Sequence, residues 1–393
     1  MEGSAPTLRV LLWAPRGAGE HYNGPGSFAY RLYSTAPQQY FRITLVHGYR
    51  WQGNYSVFAD QQLLSVLENA FHLPRFLCTA RWWLSEHARE FDVFHGLSGY
   101  HATVSPAVQA ERYGLPAVVF LANHRQELAH KPGVRGLLGL ARRRREMIKR
   151  ISAIIAMSQA IAEELLEYGV PEGKIARIPM GVNTDRFRPA ATEAERAELR
   201  AALGWRDLPT VAFVGAITER KRPHLLVEAA ALLKARGVEC QVVFAGPPQQ
   251  QGYVDVMMRR IDELGLRDHV VWMGMAENID VVYRASDVFA LPSAREGMPA
   301  ALVEAMASGL PSVVTKISGT ADLIQDGEDG RFVDPQPEEV ADGINFFLTD
   351  PARRALAGAR ARAKVVARYS ATAVLDAYRR LFLRLARGGD AAE

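Results

Sequence analysis

Eleven short apolar runs, separated by stretches with helical spacing, constrain this chain more than any other feature of its sequence. In the first half they stand at LRVLLWAP (8–15), RITLVHGY (42–49), FDVFHG (91–96), AVVFLANH (117–124), AIIAMS (153–158) and IARIPMG (175–181). The second half continues with TVAFVGA (210–216), CQVVFAG (240–246), VVWMGM (270–275), VFALPS (288–293) and PSVVT (311–315). Such runs are what strands buried on both faces of a parallel sheet require. Between them, RPHLLVEAAALLKARG (222–237) places Leu225, Leu226, Ala229, Leu232 and Leu233 on one helical face. The alternation predicts an α/β chain built from doubly wound parallel sheets.

At 393 residues the chain exceeds one ordinary core, so two Rossmann-like domains are expected. The polar, Pro-containing stretch GVNTDRFRPAATEAERAELRAALG (181–204) marks the join. It sets a first domain at residues 1–188 and a second at 189–369. The closing segment SATAVLDAYRRLFLRLARG, helix 370–388, aligns Val374, Leu375, Tyr378, Leu381, Phe382 and Leu385 in one stripe. That stripe packs either on the second domain or, crossing back, on the first. Ligands of doubly wound folds bind beyond the carboxyl ends of the strands, so a cleft between two facing sheets is the expected site.

Composition narrows the function classes. With 48% hydrophobic and 23% charged residues this is a soluble globular composition. No apolar run reaches the ~18 residues that cross a bilayer. The start, MEGSAPTLRVLLWAP, lacks the basic region and long apolar core of a secretory leader. Cys78 and Cys240 are too few and too separated for a disulfide framework or a metal knot, which points to the cytoplasm. A net charge of +4 is too weak to indicate a nucleic-acid partner.

The chemistry concentrates in REGMPAALVEAMASGLP (295–311). Pro299 suits a first helical position, Gly309 a left-handed stop, and Pro311 prevents the helix from resuming. Glu296 then lies in the loop before a short helix and Glu304 within it. Between them the helix-start amides of Ala300, Ala301 and Leu302 attract an anion, typically phosphate. Two carboxylates flanking a phosphate suit a ligand with hydroxyls on either side, because a carboxylate accepts two hydroxyl hydrogens at once.

Weaker features keep two readings each. RGAGEHYNGPGS (16–27), with Gly24 and Gly26, follows the first strand but does not have the G-x-G-x-x-G spacing. It is either a tight loop or a backbone cradle for phosphate. The run RRRREMIKR (142–150) is either a solvated basic face or a surface for anionic lipid or an acidic acceptor. Of the aromatic stretches, RWQGNYSVFA (50–59) and ARWWLSEH (80–87) serve either core packing or an acceptor pocket.

Taken together, these residues resemble the retaining nucleotide-sugar glycosyltransferases of the GT-B fold, in family four. The family's frame is a loop glutamate, seven residues, then a helix glutamate, and here it reads EGMPAALVEAMASGLP. IIAMSQAIAEELLEYGVPEGKIARIPMGVNTDRF (154–187), VVFAGPP (242–248), VVWMGMAENIDVVYRASDVFALPS (270–293) and SGTADLIQDGEDGRFVD (318–334) match the family in order and spacing. The resemblance implies that Glu304 holds the ribose hydroxyls, Glu296 the donor-sugar hydroxyls, and the helix-start amides the diphosphate. It implies further donor-side positions at Gly215, Gly297, Met298 and Met275, and in the glycine-rich turn.

The chain also departs from the family. Where the family has Gly-Arg and then Lys, VGAITERKRP keeps Lys221 but has Ala216 for the Arg. Arg220 or Arg222 is the candidate replacement, a guanidinium being well matched to phosphate. The first domain's His-x-His is altered, leaving His95, His101 and His124 as candidates in that order. No D-x-D pair closes a strand, so neither metal nor cofactor is expected, and the basic clamp stands where Mg²⁺ would. The implied reaction is metal-independent sugar transfer, with retention, from a nucleoside-diphosphate sugar to an acceptor hydroxyl. The acceptor is a small molecule, a glycan or a lipid-linked species. The last would accord with weak peripheral membrane contact, because some family members reach lipid-linked acceptors with this surface. A catalytically weak nucleotide-sugar-binding subunit, or a related GT-B epimerase or phosphorylase, remains the alternative.

Overall fold

The computed structural model describes residues 7–18, 25–37, 39–48, 57–67, 70–122, 124–125, 127–128 and 140–389. The chain forms two compact units. One runs to Gly181 and resumes at Ala371, and the other spans Val182–Ser370.

The first unit carries a seven-stranded parallel sheet of β1 (Leu8–Trp13), β2 (Phe41–His47), β3 (Asp60–Leu63), β4 (Val93–Leu97), β5 (Ala117–Leu121), β6 (Ala153–Ala156) and β7 (Ile175–Arg177). Their order across the sheet is β3-β2-β1-β4-β5-β6-β7, with Val10 of β1 facing Ile43 on one side and Val93 on the other. The central strands β4, β5 and β6 are buried throughout, as apolar runs interrupted only by His95 require. The edge strand β3 was not foreseen: its sequence DQQL is exposed along its whole length, so no buried face imposes a pattern on it.

Helix Ala371–Ala386 packs in the first unit, which decides between the two placements considered for its stripe. Tyr378 and Phe382 are fully buried, with ring contacts to Phe28, Phe41 and His95.

The second unit holds a six-stranded parallel sheet of β8 (Thr210–Val214), β9 (Gln241–Ala245), β10 (Val270–Gly274), β11 (Val288–Leu291), β12 (Ser312–Thr315) and β13 (Gly330–Val333). The order is β10-β9-β8-β11-β12-β13, so the direction of winding reverses between β8 and β11. β13, at an edge and only half-buried, was also not foreseen. The entering ends of β8 and β11 are tied by buried Asp287, whose carboxylate accepts from the Thr210 amide at 2.7 Å and from Arg200 at 2.5 Å.

The expected boundary near residue 189 differs from the division after Gly181, and the contacts of the intervening segment show why. The Val182 amide donates to the Tyr369 carbonyl at 2.8 Å. Arg362 donates to the Phe187 carbonyl at 3.0 Å, and the Phe187 ring packs against Tyr283. Residues 182–189 therefore fold with the second unit.

Candidate functional site

A reversal of strand order opens a crevice beyond the carboxyl ends of the two strands that flank it, here β8 and β11. The loop leaving β8 begins at Gly215, whose φ of +143° favours glycine. A Cβ on Gly215 would stand 3.1 Å from Lys221 Cε, so its absence lets the Lys221 chain lie across the loop. A single turn, Glu219–Lys221, then carries Arg220 and Lys221.

The loop leaving β11 delivers Glu296. Its Oε1 accepts from Lys221 Nζ and from Ser293 Oγ, both at 2.8 Å, while Arg220 lies 3.0 Å from Oε2. The Glu296 side chain is only 10% exposed. Burial pushes its carboxyl up, but Lys221, Arg220 and Ser293 together outweigh that and hold it below the usual carboxylate range. Arg220 also donates to the Arg295 carbonyl, which anchors it over the same loop. Arg222 takes no part in this cluster. It closes the turn in the left-handed conformation, φ 51°, and its charge bears on His224.

Helix Ala300–Ala307 follows, with Gly309 in the expected left-handed conformation at φ 74°. Pro299 lies one position before the helix rather than inside it, because its ψ of 109° is extended. Its carbonyl accepts from the Leu302 amide at 3.0 Å. Leu302 is thus removed from the expected trio of open amides, leaving Ala300 and Ala301, whose amides meet no acceptor among the described residues.

Glu304 stands one turn into that helix, half-buried. The Tyr283 hydroxyl lies 3.1 Å from its Oε2 and 3.1 Å from the Ala301 carbonyl. Burial, then the Glu304 charge, pushes the Tyr283 phenol well up, so it stays a neutral donor. Sequence reasoning missed Tyr283, Ser293 and the loop after β12. Tyr283 lies seventeen positions before the helix and reads there as one more apolar helix residue. In the loop after β12, Gly319 lies so close that a Cβ would come 2.6 Å from the Glu296 carbonyl and closer still to that of Gly297.

Two further expected donor-side positions separate. Met275 follows β10 at the same end of the sheet and is 76% exposed. Met298 is turned inward and 6% exposed, so its side chain belongs to the core rather than to a ligand surface.

In the first unit, His95 requires a correction. It is fully buried on β4, with Nδ1 2.7 Å from the Tyr33 hydroxyl and the rings of Tyr378 and Phe382 around it. A side chain without exposed surface touches no substrate, so His95 is a core residue. Burial takes its pKa down to about 3. His101 opens the helix His101–Arg112, where burial and then Arg144 lower its pKa. His124 sits half-exposed in the turn just after β5. Gly26 lies in the first turn of helix Pro25–Ser34, buried, and a Cβ there would come 2.5 Å from the Gly17 carbonyl, so its missing side chain serves close packing of the helix on the loop. Gly24 lies outside the described residues.

The basic run is also largely committed. Arg144 is buried beside Tyr100, Arg145 stacks on Tyr168 and donates to the Leu128 carbonyl, and Lys149 pairs with Glu146. Arg145 and Lys149 therefore do not stand free in the basic run 142–150. Among the described residues no helix is long and apolar enough to cross a membrane, and no group of three His, Cys, Asp or Glu converges as a metal site.

Comparison with known proteins gives this geometry a family. Residues 195–364 match Glycosyl transferases group 1, and residues 22–186 match Glycosyltransferase Family 4. The chain belongs to glycosyltransferase family four. This family-four chain is 31% identical over 236 residues to alpha-D-kanosaminyltransferase of Streptomyces kanamyceticus, covering 59% of it and 60% of that protein. It is 32% identical over 245 residues to D-inositol 3-phosphate glycosyltransferase of Nocardia farcinica, covering 60% and 54%. The matched region thus spans little more than half the length of these relatives. Its fold is that of Anabaena Alr3699/HepE solved in complex with UDP (TM-score 0.78, 20% identity, 94% of this chain and 98% of that one). Sucrose-phosphate synthase from Thermosynechococcus elongatus is similar (TM-score 0.71, 19% identity, 97% and 100%). The two Rossmann-like units of this family-four chain constitute the GT-B fold.

Proposed function

We propose that this chain is a metal-independent, retaining glycosyltransferase that moves a sugar from a nucleoside-diphosphate sugar to an acceptor hydroxyl. The observation that carries this reading is the pairing of buried Glu296 with Lys221 and Arg220 at the strand-order reversal, next to open helix-start amides. Glu304, oriented by Tyr283, accepts from the ribose hydroxyls, and Glu296 accepts from a hydroxyl of the donor sugar. The amides of Ala300 and Ala301, with Lys221 and Arg220, hold the diphosphate.

In the reaction the bond from the anomeric carbon to the phosphate oxygen breaks as the acceptor oxygen bonds to the same face. The acceptor proton passes to the departing diphosphate. Negative charge grows on the phosphate while the sugar becomes oxocarbenium-like, so fixed positive charge and amide dipoles stabilise the transition state more than the ground state. UDP is the first nucleotide to test, because the Anabaena neighbour was solved with it.

Incubation with UDP-, GDP- and ADP-sugars, with and without candidate acceptors, tests the proposal through the nucleotide released. Release only when an acceptor is present supports transfer. Tight binding without turnover would instead make the chain a nucleotide-sugar-binding subunit. Glu304→Ala is expected to weaken nucleotide binding about tenfold, the size of a charge-assisted hydrogen bond, without loss of fold. Unchanged affinity in calorimetry would remove Glu304 from the site.

A further inference from the structure

Glu296 is held by more than its cations. Ser293 is completely buried, and its Oγ donates to Glu296 Oε1 at 2.8 Å. The Ser293 carbonyl in turn accepts from Thr315 Oγ1 at 2.5 Å, and the Thr315 carbonyl accepts from Thr320 Oγ1 at 2.7 Å. Thr315 and Thr320 are buried as well. Three buried hydroxyls, linked through the backbone carbonyls of Thr315 and Ser293, therefore lead from the loop after β12 to the carboxylate, on residues that the glutamate frame does not contain.

The acceptor geometry of the carboxylate gives that chain a purpose. A carboxylate offers roughly four acceptor positions, two on each oxygen. Lys221 and Ser293 occupy Oε1, and Arg220 occupies one position on Oε2. Among the described residues, one position on Oε2 is left. Lys221 and Arg220 ride on long stems that can follow the carboxylate as it turns. Ser293 cannot follow, because a single rotatable bond separates its Oγ from a backbone held by Thr315.

We propose that Ser293, braced by Thr315 and Thr320, is a positioning residue that fixes the rotation of the Glu296 carboxylate so that it reads a single hydroxyl of the donor sugar. This rests on the transferase reading above, and it adds a determinant of sugar recognition separate from nucleotide recognition. Buried hydroxyls that served only the fold would support the bare nucleotide and its sugar-bearing form equally.

The test compares wild type, Ser293→Ala, Thr315→Val and Thr315→Ser by calorimetry with UDP and UDP-glucose. GDP with GDP-mannose, or ADP with ADP-glucose, replaces that pair if wild type prefers it. Ser293→Ala and Thr315→Val should bind the bare nucleotide within about twofold of wild type and the sugar nucleotide about five- to tenfold more weakly. Thr315→Ser, which keeps the hydroxyl, should match wild type. Among monodeoxy forms of the donor, the Ser293→Ala loss should vanish for one alone, the form lacking the hydroxyl that Glu296 reads. Equal weakening of both ligands, or an unchanged preference for the sugar nucleotide, would overturn the inference and leave the transferase reading standing. If wild type binds no member of any pair, both fall together.

Discussion

Lys221→Ala is expected to lower turnover on the order of 10²-fold, the loss that follows removal of one preorganised stabilising charge. Lys221 is the inner of the two cations at Glu296, its side chain 13% exposed against 42% for Arg220. A charge shielded from water acts more strongly on a developing phosphate charge than one that solvent screens. Arg220→Ala should therefore cause a smaller but clear loss. Arg222→Ala should stay near wild type, because the Arg222 charge bears on His224 and the cations paired with Glu296 are Lys221 and Arg220. Removing Lys221 also leaves the burial of Glu296 less opposed, so its carboxyl titrates at higher pH and the acid limb of the rate profile moves up. Steady-state nucleotide release across pH measures both effects. Three variants indistinguishable from wild type would leave the diphosphate to the backbone amides alone.

The parts of this arrangement that sequence reasoning reached are those where residue type and local spacing coincide. Central strands such as Ala117–Leu121 or Ala153–Ala156 declare themselves as unbroken apolar runs because both faces are covered. Glu296 and Glu304 stand out because Pro299 and Gly309 punctuate the helix between them. Two of the four edge strands escape for the opposite reason, since Asp60–Leu63 and Gly330–Val333 have a neighbour on one side only and carry little pattern, whereas the edge strands β7 and β10 keep enough apolar residues to be read. Contacts made across long sequence separation escape too. Thr315 reaches Ser293 over twenty-two residues, and Tyr283 reaches Glu304 over twenty-one. Nothing local marks those hydroxyls as parts of a site. His95 shows the converse error. A histidine near the place of the family's His-x-His looked chemical, yet the strand it occupies turns it into an aromatic interior.

That interior makes His95 a source of acid sensitivity in the first unit. In the unfolded chain a histidine titrates near 6.5, whereas buried His95 holds out to about 3. Its folded pKa is depressed, so between these values the unfolded chain binds a proton that the folded unit refuses. The stability contributed by neutral His95 is complete above pH ~6.5 and is lost as pH falls toward about 3, at about 1.4 kcal/mol per pH unit. Tyr33 and Tyr378, the hydroxyl-bearing rings in contact with it, are pushed well up by burial and stay neutral throughout. His95→Phe should be less stable than wild type at pH 7.5, because it leaves the Tyr33 hydroxyl without its 2.7 Å partner. The gap should then close as the pH falls from 6.5 to 4, since only wild type carries the histidine's proton-linked loss. Hydrogen exchange of the β4 amides reports the first unit by itself, and subtracting the variant cancels the carboxylates that titrate in both proteins. Parallel pH dependence in the two would show that folded His95 takes up a proton, which requires access to water. In that event His95 would return to the list of candidate ligand-contacting residues.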